Sequence, residues 1–446
     1  MTSIQRIAKN MAVLLLARII NMLLGFFYVM YTARYLGPNN YGILAFALAL
    51  NGIFGVLVNF GLDPLTIREV ARNQKLAEKY LSNGIVLKLA FGGLTLGIIW
   101  LVVNALNYPS LTRKVVYIIT LSTIIAGINN LFNDIYQAFE RMEYMAIAQI
   151  LQSALSVGLA ITAIELKLGV LEFALIYLIV NMVVLGYQIM ITSQKFVKPT
   201  IETDVEFWRN MLREAWPFLI IGVSSALYYY TDSFMIFVFK GKFETGIYNA
   251  AYRLALVLGI IPTIYNRVMY PYISKEFKHR SEILPKILVG SITGMGALAL
   301  LGGITILITA KWIVMTVYGS EYSKSTIPFI FISWAILFGY LNGVIGTFLD
   351  AIGHQRENGY RMLAGTLVNV GLNAFMIPAY GAVGAAISTL LARIFAGVLA
   401  FIMADKIVKR YYPPVSLKLN ANSIVLTVNI LKTIISEVKA YGRVKQ

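Results

Sequence analysis

Residues 37–43 read Gly-Pro-Asn-Asn-Tyr-Gly-Ile, and 204 positions later residues 241–247 read Gly-Lys-Phe-Glu-Thr-Gly-Ile. Gly37, Gly42 and Ile43 thus recur as Gly241, Gly246 and Ile247, and Ala47 recurs as Ala251. A second match follows in the same order at a spacing of 213, where Ala138 and Val157-Gly158-Leu159 recur as Ala351 and Val370-Gly371-Leu372. The chain is therefore an internal repeat, and both copies are set among long apolar runs. A hydrocarbon core about 30 Å thick needs roughly 20 apolar residues per helix. Scanned with that window, the chain offers twelve candidate spans. Six cover 11–33, 41–62, 83–105, 115–138, 144–166 and 169–192; six more cover 215–239, 246–270, 284–310, 326–350, 360–379 and 382–404. The longest polar break, 193–214, divides them six and six, so both copies keep the same orientation, as parallel repeats do. The expected fold is an all-α polytopic membrane protein of twelve transmembrane helices in two six-helix lobes, residues 1–192 and 215–405. A cytoplasmic linker, 193–214, joins the lobes, and a tail, 406–446, follows them.

Composition excludes a soluble protein. Of 446 residues, 58% are hydrophobic and 13% charged, against about 45–50% and about 25% in soluble domains. Mean hydropathy is +0.72. The formal charge of +17 sits mostly between the apolar runs rather than in one patch with interleaved aromatics, which argues against nucleic acid. With the N-terminus in the cytoplasm, the segments on that side carry 25 Lys and Arg and the opposite segments 8. This is a positive-inside pattern with both termini cytoplasmic. The first span follows Lys9 and has no small-residue cleavage site after it, so it reads as a retained span. In the tail, Ile424, Val428, Leu431, Ile435 and Val438 fall on one helical stripe, the pattern of a helix lying on the membrane surface. There is no cysteine, and the two histidines, His279 and His354, lie in separate predicted loops, so no paired-histidine metal site is expected. No phosphate-binding glycine-rich loop ending in Lys-Ser/Thr occurs. No predicted outer loop exceeds 16 residues, so no catalytic domain or outer acid–base set is expected and the chain is not read as an enzyme.

The remaining information lies in charges within the spans. An Arg or Lys at the centre of a membrane helix costs about 2.5–3.5 kcal/mol on insertion scales, so it faces water, a counter-charge or an anionic ligand. Arg18 lies in the first span and Arg253 in the eighth, one in each half, where both could face one central anion. Arg393 lies in the twelfth span. Lys88 lies near the start of the third, where its stem could snorkel to the headgroups. Pro64 fits the first turn of a helix that sets Arg68 and Arg72 on one face at the cytoplasmic mouth, to capture phosphate or anchor at headgroups. Two acids are embedded as well, Asp232 in the seventh span and Asp134 in the fourth. Each reads either as an interhelical hydrogen-bond partner or as a site for a coupling proton or sodium ion. Asn369 and Asn373, four apart on one helix face, offer neutral oxygens together with Thr389. Hard oxygen donors suit a hard cation, and polar glue between helices is the alternative.

Several stretches carry a resemblance. Ala33-Arg34-Tyr35-Leu36-Gly37-Pro38, Tyr41-Gly42, Phe60-Gly61-Leu62 and Ile67-Arg68-Glu69 are similar to the N-terminal half of polysaccharide-biosynthesis flippases. Asp232 with Gly246-Ile247-Tyr248-Asn249-Ala250-Ala251-Tyr252-Arg253 resembles the start of their second half. Asn369-Val370-Gly371-Leu372-Asn373 and Ile377-Pro378-Ala379-Tyr380-Gly381-Ala382 resemble their eleventh and twelfth helices. The resemblance covers nearly all of residues 1–405 and points to the multidrug, oligosaccharidyl-lipid and polysaccharide exporter superfamily. It implies a V-shaped pair of lobes around a cationic cavity, which moves polyprenyl-diphosphate-linked sugars to the outer leaflet of the cell membrane by alternating access. It implies membrane lipids as surroundings, glycan polymerase or ligase machinery as candidate partners, and a monomer. Related lipid-II flippases imply that Arg18 and Arg253 hold the diphosphate, and that Asp232, Asn369, Asn373 and Thr389 hold sodium. Asn373 stands where those flippases carry a second acid. A multidrug or small-molecule antiporter of the same superfamily is the alternative, and a membrane glycan polymerase or ligase a more distant one. Arg18, in a first span without Asp or Glu, argues against a cationic drug.

Overall fold

The computed structural model describes residues 3–198, 200, 203–279 and 283–412, with side chains from residue 20 onward. The expected surface helix around Ile424–Val438 lies outside the described residues. Among those described there are helices and turns and no strand. Nine helical stretches among them are long and apolar enough to cross a membrane.

Two compact units emerge, one of residues up to Gly246 together with Val317–Glu321, the other of Ile247–Thr316 and the residues from Tyr322 on. The first contains α1 (Ser3–Phe54), α2 (Val56–Asn59), α3 (Leu62–Arg72), α4 (Ala77–Ala105) and α5 (Ser110–Ala138). It continues through α6 (Met142–Glu165), α7 (Val170–Lys195) and most of α8 (Val205–Ala255). The second contains the end of α8, α9 (Ile260–Lys278), most of α10 (Ile283–Tyr318), α11 (Thr326–Ala351) and α12 (Gln355–Tyr411).

Three of the long helices contain a break where short loops between spans were expected. α1 breaks at Gly37 (φ 66°), α8 at Gly241 (φ 78°) and α12 at Gly381 (φ 58°). Each connection thus narrows to one residue with left-handed φ. Glycine adopts that conformation without the Cβ penalty that any other residue incurs. Two of the three glycines are the equivalent first positions of the repeated heptad, so the repeat in sequence is also a repeat in backbone conformation.

Packing in the first unit centres on Leu62, Leu65, Leu81, Leu131, Phe132, Ile135 and Tyr136. Met211 and Ala215 of α8 join the same core, so the latter part of the expected linker is a packed helix rather than a loop. Its start is defined by Asp204, whose Oδ1 accepts the Phe207 N–H at 2.9 Å, the bond expected of a helix N-cap. Polar side chains tie α5 to α7. Asn181 donates to Ser122 Oγ at 2.9 Å, Gln188 donates to Asn133 Oδ1 at 2.9 Å, and the Tyr136 hydroxyl donates to the Gln188 carbonyl at 3.1 Å. In lipid, where apolar surface alone gives helices little reason to associate, such bonds contribute about 0.6 kcal/mol on average and up to about 1.7. The second unit has its own core of Met269, Leu284, Leu337, Tyr340, Phe348 and Leu349. Trp100, Ile308, Trp312 and Phe375 stand largely exposed. On helices of this length and hydropathy, exposed apolar side chains form the surface that lipid covers.

Candidate functional site

Of the basic candidates, Arg18 lies on α1, and its side chain is outside the described residues. Arg253 lies near the end of α8 in the second unit and is exposed. Arg393, half-buried on α12, reaches α11: its guanidinium nitrogen lies 3.5 Å from where a Cβ on Gly339 would sit. Its backbone carbonyl accepts from Asn342 Nδ2 at 3.0 Å.

Pro64 does stand in the first turn of a helix, α3, which starts after Gly61 in the left-handed region (φ 76°). Proline is tolerated there because the first-turn N–H groups have no intrahelical partner. Arg68 and Arg72 follow on that helix, and both turn toward acids. Arg68 donates to Glu69 at 2.6 Å and to Glu214 of α8, and Arg72 donates to Glu69 at 3.0 Å. Close by, Lys79 pairs with Asp204 at 2.7 Å, and Asn83 Oδ1 accepts from the Asp204 N–H at 3.0 Å and from Trp208 Nε1 at 2.7 Å. Lys79 and the Phe207 N–H hold the Asp204 carboxyl below its ordinary range. These residues form a lattice of paired charges binding α3 and α4 to the start of α8.

Lys88 does not reach the headgroups. Its side chain is 0% exposed, and its ammonium donates to Asp63 Oδ1 at 2.5 Å, Gly127 O at 2.8 Å and Asn59 Oδ1 at 3.0 Å. Asp134, also buried, lies near the end of α5 with Asp63 and Lys88 as its charged neighbours.

In the second unit Asn373 donates to Asn369 Oδ1 at 3.3 Å and Asn369 donates to Thr389 Oγ1 at 3.4 Å. These form a ladder of neutral groups along α12 and across its break. Asp232 is half-buried on α8 in the first unit. Among the described residues no cluster of three or more His, Cys, Asp or Glu is arranged to hold a metal ion.

The two copies of the repeated heptad meet within the first unit. A Cβ on Gly42 would lie 1.8 Å from the Lys242 carbonyl oxygen, and one on Gly246 would lie 2.0 Å from the Pro38 carbonyl oxygen. Gly42 corresponds to Gly246, and Pro38 to Lys242, at the same spacing of 204. The contact is reciprocal, and at each crossing the backbone of one copy occupies the space a side chain on the other would need.

Reading the sequence had missed Asp63 and Asn59 as partners of Lys88, and Glu69 and Glu214 as partners of the α3 arginines. A usable signal existed for the first. A lysine among apolar residues demands an acid at its own depth, and Asp63 and Asp134 stand at the ends of neighbouring spans.

Residues 7–277 match the family described as polysaccharide biosynthesis protein. A probable low-salt glycan biosynthesis flippase of Haloferax volcanii is 24% identical over 388 residues, which cover 86% of this chain and 80% of that one. The capsular polysaccharide biosynthesis protein CapF of Staphylococcus aureus is 22% identical over 398 residues, covering 87% of this chain and 96% of the other. Among solved structures, an inward-facing multidrug resistance MATE family transporter of the MOP superfamily superposes with a TM-score of 0.71 at 15% identity, over 89% of this chain and 96% of its own. The lipid II flippase MurJ in an inward closed conformation superposes with a TM-score of 0.68 at 17% identity, over 94% of this chain and 91% of its own. The chain has the exporter fold of these transporters.

Proposed function

Because the chain belongs to the polysaccharide biosynthesis protein family, we propose that it is a flippase. In this reading it carries a polyprenyl-diphosphate-linked oligosaccharide from the cytoplasmic to the outer leaflet of a cell membrane. The observation that carries the reading is likeness along most of the chain to a relative named as a glycan biosynthesis flippase. The fold shared with a lipid II flippase supports it.

The substrate's demands match the residues proposed to meet them. A diphosphate is a compact double anion, and an arginine in an apolar helix is a cation whose insertion cost is offset only by a counter-charge, ligand or water. Arg18 and Arg253 bind the diphosphate, Arg393 supports it, and the basic mouth with Arg68 and Arg72 gathers the anionic lipid. The sugar crosses in a hydrated path while the polyprenyl chain stays in lipid. Transfer proceeds by alternating access, with residues 1–192 and 215–405 as the moving lobes, 193–214 as their linker, and both termini cytoplasmic. The ladder Asn369, Asn373 and Thr389, with Asp232, offers oxygens to a coupling sodium ion. The activity is transport rather than catalysis.

The test is binding of a polyprenyl-diphosphate sugar to the full chain in nanodiscs, beside a lipophilic cationic dye, followed by a leaflet-transfer assay. Each charge-assisted contact is worth about 1.5–3 kcal/mol, so Arg253→Ala and Arg18→Ala are each expected to weaken binding about 10- to 100-fold. The variants should unfold at the wild-type temperature. Dye binding without diphosphate-lipid binding would replace this reading with a drug exporter.

A further inference from the structure

One groove lies apart from every residue assigned above. It runs along the exposed side of α4 and α5 in the first unit and has a volume of about 480 Å³. Its lining is Gly93, Leu96, Gly97, Trp100, Tyr117 and Leu121. Gly93, Gly97 and Trp100 follow at helical spacings of four and three, so they share one face of α4, and Tyr117 and Leu121 share one face of α5. Glycine is among the least favourable residues inside a helix. At Gly92 packing accounts for it, because a Cβ there would lie 2.8 Å from the Ile124 side chain. At Gly93 and Gly97, by contrast, nothing among the described residues lies within 4 Å of where a Cβ would sit. These two leave a trough that no described part of the chain fills.

One end of the trough is cationic. Asn104, near the end of α4, donates to the Tyr117 hydroxyl at 2.9 Å and accepts from Arg113 Nη1 at 3.0 Å. This neutral amide fixes the half-buried guanidinium at the rim without cancelling its charge. The exposed Lys114 follows. Arg113 and Lys114 are the only charged residues between Lys88 and Asp134, and neither joins an ion pair among the described residues. The depth also fits a lipid. Gly93 stands eleven residues before Asn104, about 16 Å along the helix at about 1.5 Å per residue. One leaflet contributes about 15 Å of hydrocarbon, half of a core about 30 Å thick. An apolar cavity of about 150 Å³ accepts benzene, so a groove of this volume has room for a stretch of acyl chain. We propose that the groove is a binding site for an anionic phospholipid of the surrounding bilayer. Its headgroup lies on Arg113 and Lys114, and one acyl chain lies against Gly93, Gly97 and Trp100. A helix from a second copy would fill the trough but would bring nothing of opposite charge to the two cations by packing alone. The site does not rest on the flippase reading.

The test uses the full chain in phosphatidylcholine nanodiscs, titrated with phosphatidylglycerol brominated in mid-chain, which quenches tryptophan on contact. The Trp100 signal is the difference between the wild type and Trp100→Phe. Phosphatidylglycerol is expected to half-quench it at a mole fraction about fivefold or more below that of brominated phosphatidylcholine, the selectivity one basic residue supplies at a membrane surface. Arg113→Gln should cut that preference about fivefold. Gly97→Leu, which fills the trough, should lower quenching by both lipids, and Gly93→Leu serves if that variant fails to fold. Gly186→Leu, at an equally open glycine on α7, should change nothing. Equal quenching by the two lipids, or a preference unmoved in Arg113→Gln, overturns the proposal. A dimer in light scattering that Gly97→Leu splits would overturn it in favour of a second copy. Displacement of the brominated lipid by polyprenyl phosphate but not by unbrominated phosphatidylglycerol would overturn it in favour of the transported lipid's tail. Failure of diphosphate-lipid binding with this quenching pattern intact would overturn the flippase reading and leave the phospholipid site standing.

Discussion

The Lys88 cluster and the Asn369 ladder handle the same problem, polar groups within apolar helices, in opposite ways. Around Lys88, a buried full charge must be answered within a few ångströms, as the 2.5 Å contact to Asp63 shows. Along α12, neutral amides pass weak bonds of 3.3 and 3.4 Å to one another and to Thr389. A charged cluster admits few arrangements and is costly to break. A neutral ladder is cheap to rearrange and ready to turn its oxygens elsewhere. Rigid anchoring belongs to the first and adjustability to the second.

The largest expected effect comes from removing the cation. Lys88→Met removes a fully buried ammonium and leaves the half-buried Asp63 carboxylate without its partner, and breaking a buried ion pair from one side costs up to about 3–5 kcal/mol. Thermal unfolding in detergent micelles should show a marked fall in midpoint. An unchanged midpoint would erase the contrast between the two regions.

The contrast is sharpened from the other side by Asn373→Ala. Its bond to Asn369 lies within one helix, and a polar side-chain hydrogen bond in a membrane bundle is worth about 0.6 kcal/mol, so the midpoint should move little. A loss approaching that of Lys88→Met would mean that the ladder is as rigid as the cluster.

The smallest effect belongs to an exposed ion pair. Lys79 and the Phe207 N–H hold the Asp204 carboxyl below its ordinary range. Its contribution to stability is therefore complete above the unfolded carboxylate range and is lost as pH falls through the lower folded value. Asp204→Asn should abolish that part of the acid sensitivity while barely moving the neutral-pH midpoint, since such surface pairs are typically worth about 0–1 kcal/mol. Comparing acid titrations of the two chains by circular dichroism checks it.

Much of the architecture is legible in the linear chain because hydropathy and repetition are properties of neighbouring residues. The apolar runs, the heptad beginning at Gly37 and Gly241, and the helix that Pro64 opens all depend on residues a few positions apart. The three breaks are sharper than hydropathy indicates, because a window of 20 residues cannot resolve a turn made at a single glycine. Residue roles set by pairing are less legible. Glu214 is 146 positions from Arg68, and nothing near either residue announces the other. Lys88 is instructive, since snorkelling and burial against Asp63 begin from the same string of residues and differ only in which way α3 folds back.

The reciprocal approach of Gly42 to Lys242 and of Gly246 to Pro38 has a bearing on ancestry. Two identical half-length polypeptides related by a twofold axis would make this same contact, each giving what it receives. Fusion of two such genes turns one constraint into two, because neither copy can acquire a side chain at its crossing while the other stays where it is. The pair is thus a place where duplicated halves are held back from diverging, while the Lys88 cluster and the Asn369 ladder record how far they have diverged elsewhere.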